Sequence, residues 1–319
     1  MKTIIVVLLA FCGAAMAFDA YRDTHLMLQT RRNINNPTRI MFRSESSLLS
    51  SEYDRTKPTR ILIHGWRDYE GSDISTATAA ELLRYYDFNV IFVDWSEGSS
   101  TLTHGTAAAR AEPVSIIVSS QLNWMRSMGF INFDQVQMIG FSMGAHIAGL
   151  AGKRTDALID SIIGLDPSGR SFSVNRPNER LNAGDARHVE CLHTGGGLLG
   201  DGIGAAICDA DFFPNGGSGQ PGCLFSGCDH SRSVELYVES IDVNGFHSIR
   251  CQTEAQAQRE NCASGGGFWF NSPTNSASQL RGFFHFSTNR NPPYAQGPFR
   301  PRSEFLNRIG FYDRKTLRL

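Results

Sequence analysis

The sequence predicts an α/β protein with a mostly parallel central sheet, and two repeating patterns support this prediction. Short, continuous apolar runs recur at 61–63, 90–93, 136–139 and 162–165, and a further strand is predicted at 188–192. Such runs are typical of strands that are buried on both faces. Helical stretches lie between them, notably at 107–128 and 146–154. This alternation of strands and helices favours a parallel sheet covered by helices on both sides.

The length and composition are those of an ordinary globular protein. The chain has 319 residues, of which 41% are hydrophobic and 19% are charged. It can bury a full core, either in one large α/β domain or in two smaller ones. The formal net charge is -1, so no global field would recruit nucleic acid or an anionic membrane. Any contact with lipid should therefore be mainly apolar.

The first 17 residues have the features of a secretory signal peptide. One basic residue, Lys2, precedes an apolar run at 4–11, and Ala15-Met16-Ala17 ends the segment. Cleavage after Ala17 would release a secreted, extracellular protein. A buried strand and a membrane anchor are the alternatives, but the apolar run is shorter than the roughly 20 residues that a spanning helix needs. No other segment of the sequence is long enough to span.

The cysteines also fit an exported protein. Of the seven, Cys12 would leave with the signal peptide, and six would remain. Six cysteines allow 15 pairings, of which the simplest joins sequence neighbours: Cys191–Cys208, Cys223–Cys228 and Cys251–Cys262. Metal binding is the weaker interpretation, because the sequence has no Cys-x-x-Cys pair and secreted chains oxidise their thiols.

The second half of the chain changes character. Residues 195–227 are rich in glycine and contain two prolines and two cysteines, which predicts a disulfide-braced loop region of functional importance. An aromatic strand is predicted at 283–286. We expect one catalytic domain at 18–296, followed by a short basic C-terminal tail at 297–319 with solvated charges.

The strongest local motif is Gly140-Phe141-Ser142-Met143-Gly144, a G-x-S-x-G pentapeptide. A buried strand leads into it and a helix of small residues leads out, which is the context of a nucleophile elbow. The glycines are needed because side chains two positions either side of a serine on so sharp a turn would collide. An idle serine in a glycine-rich turn is the alternative. We predict that Ser142 is a nucleophile.

A nucleophilic serine needs a basic histidine and a carboxylate that orients it, and in this fold class they follow in the order Ser, acid, His. Asp166 is the best acid, because it comes directly after a buried strand. Asp156 and Asp160 precede that strand, and Asp185 follows a polar loop. The later histidines are His188, His193, His230, His247 and His285. His230 is favoured by its place in a disulfide-braced loop, and the others have structural or surface interpretations.

An oxyanion hole requires two backbone N–H groups that point at the developing charge. Met143 should supply one, because it directly follows the nucleophile at a helix start, where amides lack intrahelical acceptors. The second should come from Trp66, in His64-Gly65-Trp66 after the first predicted strand. The Trp66 side chain can equally be a core or rim aromatic, because only its amide is required.

Together these residues resemble the animal pancreatic-lipase-like family, which includes insect lipases, venom phospholipases A1 and yolk proteins. The matching segments lie at 64–66, 93–95, 140–152, 164–167, 211–217, 221–223 and 228–233, within a region from about residue 58 to 296. The resemblance implies an α/β-hydrolase fold, a catalytic triad of Ser142, Asp166 and His230, and oxyanion amides from Trp66 and Met143.

The sequence departs from the family pattern at four places. Phe141 stands where the family often has histidine, and the C-terminal β-sandwich of the digestive lipases has no counterpart. The calcium-binding region of some members aligns with Arg180, Asn182 and Asp185, but Asn182 replaces an acidic ligand and another ligand is lost, so calcium is not expected. The lid segment, residues 224–227 between Cys223 and Cys228, has only four residues and includes Leu224 and Phe225. A lid this short resembles that of the phospholipases A1.

These observations predict a secreted serine ester hydrolase that acts on lipids at a membrane or lipid-droplet surface, most similar to a phospholipase A1. A triacylglycerol lipase with the same chemistry is the first alternative. A non-enzymatic, yolk-like lipid-binding or storage protein is the second, disfavoured because the triad is intact. Neither a cofactor nor a metal is implied, nor nucleic acid, a transmembrane segment or an obligate protein partner.

Overall fold

The computed structural model describes residues 17–243, 246–263, 267–270 and 280–296. The rest of the predicted signal peptide, residues 1–16, and the predicted tail at 297–319 lie outside the described residues. Within the described part of the chain, no helix has the length and apolarity to cross a membrane.

The described residues form one sheet of eleven strands, in the order β10-β9-β11-β8-β7-β6-β5-β3-β4-β1-β2. The strands are β1 His25–Gln29, β2 Thr38–Ile40, β3 Thr59–Ile63, β4 Asn89–Asp94, β5 Val136–Phe141, β6 Ser161–Leu165, β7 His188–Leu192, β8 Ala210–Pro214, β9 Phe246–Cys251, β10 Gly267–Phe270 and β11 Gly282–Phe286. Neighbours from β4 to β11 in this order pair in parallel, while the pairs at both edges of the sheet are antiparallel. The predicted α/β class is confirmed.

Helices cover both faces of the sheet. They are α1 Ala20–Asp23, α2 Glu45–Leu49, α3 Thr76–Tyr85, α4 Ser96–Ser99, α5 His104–Ser127, α6 Met143–Gly152, α7 Ser226–Val243 and α8 Glu254–Gln258. The long α5 packs beside α6 over one apolar cluster, and α3 packs beside α7 over another. Every residue of α6 is buried, because its small side chains let the helix lie close to the strands beneath it.

Three parts of the sheet are absent from the sequence predictions: the pair β1 and β2, the strand β8, and the pair β9 and β10. Strands β1 and β2 precede residue 58, and β1 extends the sheet beside β4. Strand β8 lies inside the segment 195–227, so the prediction of a loop throughout that segment is wrong. Phe212 and Phe213 of β8 are fully buried, since they pack within the sheet layers, and neither can contribute apolar contact to a lipid surface.

Three disulfides connect loop segments to the strands or to α7. They join the sequence neighbours Cys191–Cys208, Cys223–Cys228 and Cys251–Cys262. The first connects β7 to the loop before β8, and the second closes the lid segment onto the start of α7. The third connects β9 to the chain that follows α8. Each of these three loop segments is thus covalently tied to the sheet or to α7.

Candidate active site

Ser142 and Asp166 follow two neighbouring parallel strands, β5 and β6. The backbone N–H of Ser142 donates a hydrogen bond to the Leu165 carbonyl at 2.9 Å, and the N–H of Asp166 donates to the Leu192 carbonyl at 2.8 Å. Because parallel strands end at the same edge of a sheet, the two side chains emerge side by side. This carboxyl edge is where open α/β sheets place their ligand sites.

The backbone turns sharply at Ser142, which has φ 56° and ψ -119°. Non-glycine residues rarely adopt a positive φ, and the conformation costs about 1–3 kcal/mol. Gly140 and Gly144 permit the turn, because a Cβ at Gly140 would lie 2.5 Å from the Cα of Ala145, and one at Gly144 would lie 2.6 Å from the His64 carbonyl oxygen. The G-x-S-x-G spacing is therefore a steric requirement of this strand-to-helix turn.

Asp166 and His230 are in direct contact. His230 Nδ1 lies 2.5 Å from Asp166 Oδ2, and the other carboxylate oxygen accepts hydrogen bonds from the N–H groups of Thr194 and Gly195 at 2.9 and 3.0 Å. Asp166 is completely buried, while the His230 side chain is 13% exposed. A buried carboxylate with three donors is well suited to hold one imidazole orientation and tautomer.

Phe141, which directly precedes Ser142, packs against His230. The Phe141 ring lies 4.7 Å from the His230 ring, centroid to centroid. Within the described residues, no hydrogen bond joins the Ser142 hydroxyl to His230. Such bonds are often long in unliganded enzymes and tighten when substrate binds. The link between Ser142 and His230 therefore remains a prediction.

The two residues predicted to supply the oxyanion-hole amides are connected to Ser142 in different ways, Met143 directly along the chain and Trp66 through its neighbour Gly65. A Cβ on Gly65 would lie 2.9 Å from Ser142 Cβ and 3.4 Å from its Oγ, so the Gly65-Trp66 backbone passes directly over the serine. Met143 is the first residue of α6. Among the described residues, neither the Trp66 nor the Met143 N–H has a hydrogen-bond acceptor. Both remain free to donate to a negatively charged oxygen.

The other candidate acids and bases have different partners. His188 pairs with Glu190, His193 with Asp211, and the His285 ring with the Phe213 carbonyl, while His247 is exposed on β9. Asp156 pairs with Arg126, Asp160 with the Ser161 hydroxyl and Asp185 with Lys153. These contacts place the rejected candidates in structural roles.

One buried group has the spacing of a metal site. It consists of Cys191, His193 and Asp211. Cys191 is bonded to Cys208 and has no thiolate to offer, and Asp211 already accepts from two backbone N–H groups, those of Ile207 and Cys208. The group therefore does not fit a metal ion.

His146 lies in the first turn of α6, and no sequence pattern pointed to it. It is completely buried in α6, where Nε2 bonds to the Ser168 carbonyl at 2.8 Å and Nδ1 accepts from the Leu181 N–H at 3.2 Å. Its ring stacks on Phe172, with centroids 3.9 Å apart. Burial lowers the pKa of His146 to about 3, so the ring is neutral at pH 7.

The region that aligns with a calcium site does not fit calcium. The Lys153 ammonium at the end of α6 donates to the Arg180 carbonyl at 3.0 Å and forms an ion pair with Asp185. Calcium takes six to eight oxygen ligands, whereas here one carboxylate and one carbonyl bind a lysine, and the Asn182 amide oxygen accepts from the Arg180 guanidinium. Burial raises the pKa of Asp185 to about 6 and lowers that of Lys153. A tethered cation thus already neutralises Asp185.

The fold and this arrangement define an α/β hydrolase with a serine at its nucleophile elbow. A family model described as Lipase matches residues 15–267. The chain belongs to this family, and its relatives place it in the pancreatic-lipase-like group. It is 37% identical over 229 residues to lipase member H-A of Xenopus laevis, covering 69% of this chain and 48% of that protein. It is 30% identical over 305 residues to pancreatic triacylglycerol lipase of Mus musculus, covering 86% and 65%.

The chain spans about half the length of the lipase member H relatives it matches. A solved structure of Est1E from Butyrivibrio proteoclasticus with bound ferulic acid is 15% identical, with a TM-score of 0.32, covering 68% of this chain and 69% of that one.

We predict that Lys153→Met destabilises the protein by about 2 kcal/mol, because it leaves the buried Asp185 carboxylate without its cation. Urea unfolding at pH 7 measures the loss, with Lys57→Met as control, since Lys57 pairs with Asp87 at the surface. Calcium or EDTA should leave the Tm of the unmodified protein unchanged. A stable Lys153→Met variant, or a rise in the unmodified protein's Tm with calcium, would contradict the assignment.

Neutral, buried His146 should make the fold sensitive to acid. Its pKa is lowered from 6.5 to about 3, so below pH 6.5 the unfolded chain binds a proton that the folded chain does not. Stability therefore falls as pH decreases from 6.5 towards 3, by about 2 kcal/mol at pH 5. Urea unfolding at pH 7 and pH 5 should show a smaller pH dependence in His146→Gln than in the unmodified protein or in His25→Gln. Equal pH dependence in all three would refute it.

Proposed function

We propose that this protein hydrolyses carboxylic esters of lipids, with Ser142 as nucleophile, His230 as general base and acid, and Asp166 as the residue that orients His230. The observation that carries the proposal is the buried Asp166–His230 hydrogen bond at the same sheet edge as the strained Ser142. Membership of the Lipase family supports it.

The proposed reaction has two halves. Ser142 Oγ attacks the ester carbonyl while His230 Nε2 accepts its proton, and the negative charge of Asp166 stabilises the resulting imidazolium through Nδ1. The carbonyl oxygen becomes an oxyanion that accepts hydrogen bonds from the amides of Trp66 and Met143. His230 then protonates the departing alcohol and leaves an acyl group on Ser142. Water, deprotonated by His230, releases the fatty acid and restores the serine.

We propose that the protein is secreted, with residues 1–17 as signal peptide, the catalytic domain at 18–296 and the tail at 297–319. Three disulfides support this location, since such bonds persist in oxidising compartments. The substrate surface would be a membrane or a lipid droplet.

The lid segment supports a phospholipase A1-like substrate range. Leu224 and Phe225 are 91% and 69% exposed, and α7 begins at Ser226, so little chain is left to cover the site. A long amphipathic lid would close an apolar groove over the substrate, whereas an open site admits a polar head group beside Ser142. Triacylglycerol hydrolysis is the alternative activity, because a pancreatic triacylglycerol lipase is among the relatives.

Four exposed apolar side chains would contact the lipid surface. Leu198 and Leu199, in the loop that follows Gly195, are exposed in the same way as Leu224 and Phe225. Both segments adjoin His230, since a Cβ on Gly195 would lie 3.2 Å from the His230 backbone. Burial of these side chains in lipid would bring Ser142 to the ester.

Ser142→Ala should reduce ester hydrolysis by about four orders of magnitude or more, because only the oxyanion hole and substrate binding remain to act. Fatty-acid release from phospholipid measures the loss, with Ser46→Ala, an exposed serine, as control. Activity near the unmodified level in a folded Ser142→Ala protein would disprove the triad. Lipid binding without hydrolysis by the unmodified protein would favour a yolk-like storage role instead.

The open site predicts which lipids are hydrolysed faster and how the rate depends on substrate aggregation. Phospholipid or galactolipid should be hydrolysed faster than long-chain triacylglycerol, and activity should not jump as a short-chain substrate passes from monomers to aggregates. Titration of fatty-acid release across the critical micelle concentration checks both points. A sharp interfacial activation together with a preference for triacylglycerol would establish the lipase alternative.

A further inference from the structure

His104 is a half-buried histidine near the candidate active site that the proposed reaction does not use. It is the first residue of α5, and its two ring nitrogens both bind hydroxyl groups. Nε2 lies 3.0 Å from Ser168 Oγ and Nδ1 lies 3.1 Å from Ser171 Oγ. Its ring also packs against Trp66 edge to face, with centroids 5.4 Å apart. His104 therefore contacts both the loop after Asp166 and the residue that offers an oxyanion amide.

Ser168 connects His104 to the other oxyanion amide. The Ser168 N–H donates to the Ser142 carbonyl at 3.2 Å, and the Ser168 carbonyl is bonded to His146. The Ser142 carbonyl and the Met143 N–H belong to one planar peptide unit, in which they point in opposite directions. A contact that fixes the carbonyl therefore fixes the direction of the Met143 N–H.

On its other side, His104 belongs to the segment that holds Trp66. The Trp66 indole N–H donates to the Thr101 carbonyl at 3.2 Å, and the Thr101 hydroxyl donates to the Thr103 carbonyl at 2.9 Å. Thr103 caps α5 with a bond from the Thr106 N–H to its side chain. A chain of hydrogen bonds thus connects Trp66 through Thr101 and Thr103 to the first turn of α5.

We propose that His104 is a positioning residue that sets the spacing and direction of the two oxyanion-hole amides, Trp66 and Met143. This proposal rests on the proposed function. The rigid His104 ring connects the two amide donors, since it packs edge to face against Trp66 and its nitrogens bind the loop that contains Ser168 and Ser171. His104 would act on the transition state, where the oxyanion forms, more than on the bound ester.

The charge of His104 also matters to this role. Burial, followed by the positive charge of Arg170 and that of His230, lowers the pKa of His104, while Asp201 opposes the shift. A neutral ring can accept from one serine hydroxyl and donate to the other. It also places no second positive charge beside the imidazolium that His230 forms during the reaction.

The test compares kinetics on a soluble short-chain p-nitrophenyl ester. His104→Phe keeps a ring against Trp66 but loses both hydroxyl contacts, and kcat should fall about 10-fold while KM changes less than about two-fold. Affinity for an alkyl boronic acid, whose serine adduct carries an oxyanion, should fall in parallel. His104→Gln, which retains a donor and an acceptor, should recover part of both. The control is His25→Phe, which replaces a histidine on β1 that contacts Arg39.

Ser168→Ala provides a second route if His104→Phe does not fold. It removes the hydroxyl that binds Nε2, should lower kcat in the same way, and should not add to the effect of His104→Gln in the double variant. An unchanged kcat, a change in KM alone, or unchanged boronic acid affinity in these variants overturns the proposal. If the unmodified protein neither turns over the ester nor binds the boronic acid, the proposed function itself fails and the role of His104 fails with it.

Discussion

The architecture of the site depends on one constraint, the positive φ of Ser142 between β5 and α6. A chain that turns this sharply needs free space at Gly140 and Gly144 and compensating bonds nearby. Those bonds come from the neighbouring strand and loop, since the Ser142 N–H donates to the Leu165 carbonyl and the Ser142 carbonyl accepts from Ser168. The same turn lifts the hydroxyl out of the sheet edge and directs the start of α6 towards it.

The other residues of the site lie in loops, and strand pairing alone does not fix the position of a loop. Asp166 is fixed by two backbone amides of the loop after β7, and that loop is fixed in turn by the buried His193–Asp211 pair. The disulfide Cys223–Cys228 closes the chain just before His230. At the end of α6, Lys153 binds Asp185 and the Arg180 carbonyl in place of a metal ion. These buried contacts thus fix the loops that surround Ser142.

The sequence predicted the central strands and the strand-to-helix turn at Ser142, because both depend on local patterns. Continuous apolar runs identify strands buried on both faces, and the G-x-S-x-G spacing reflects a steric requirement of the turn itself. Asp166 could be inferred from its place after such a strand. Strand β8 was missed because its Ala210–Pro214 segment lies among glycines and cysteines, and its burial depends on pairing with β7 and β11.

His104, His146 and Lys153 could not be assigned from sequence for a different reason. Each acts on residues far along the chain, such as Ser168 for both histidines and Asp185 for the lysine, and no local pattern encodes such contacts. His230 could be assigned from sequence only in part. Chain order and a neighbouring disulfide favoured it among five histidines, but only the resemblance to the family assigned it. The Asp166–His230 contact is a tertiary contact, and the spacing of the two residues along the sequence does not establish it.

We propose that Ser142 is a nucleophile made reactive by its surroundings. Incubation of the intact protein with a long-chain alkyl fluorophosphonate, followed by peptide mass spectrometry, tests it directly. We expect a single covalent adduct on Ser142, formed much more slowly when His230 is replaced by alanine because no base then takes the serine proton. No adduct on Ser142, or labelling that is equally fast without His230, would show that Ser142 is not a nucleophile activated by His230.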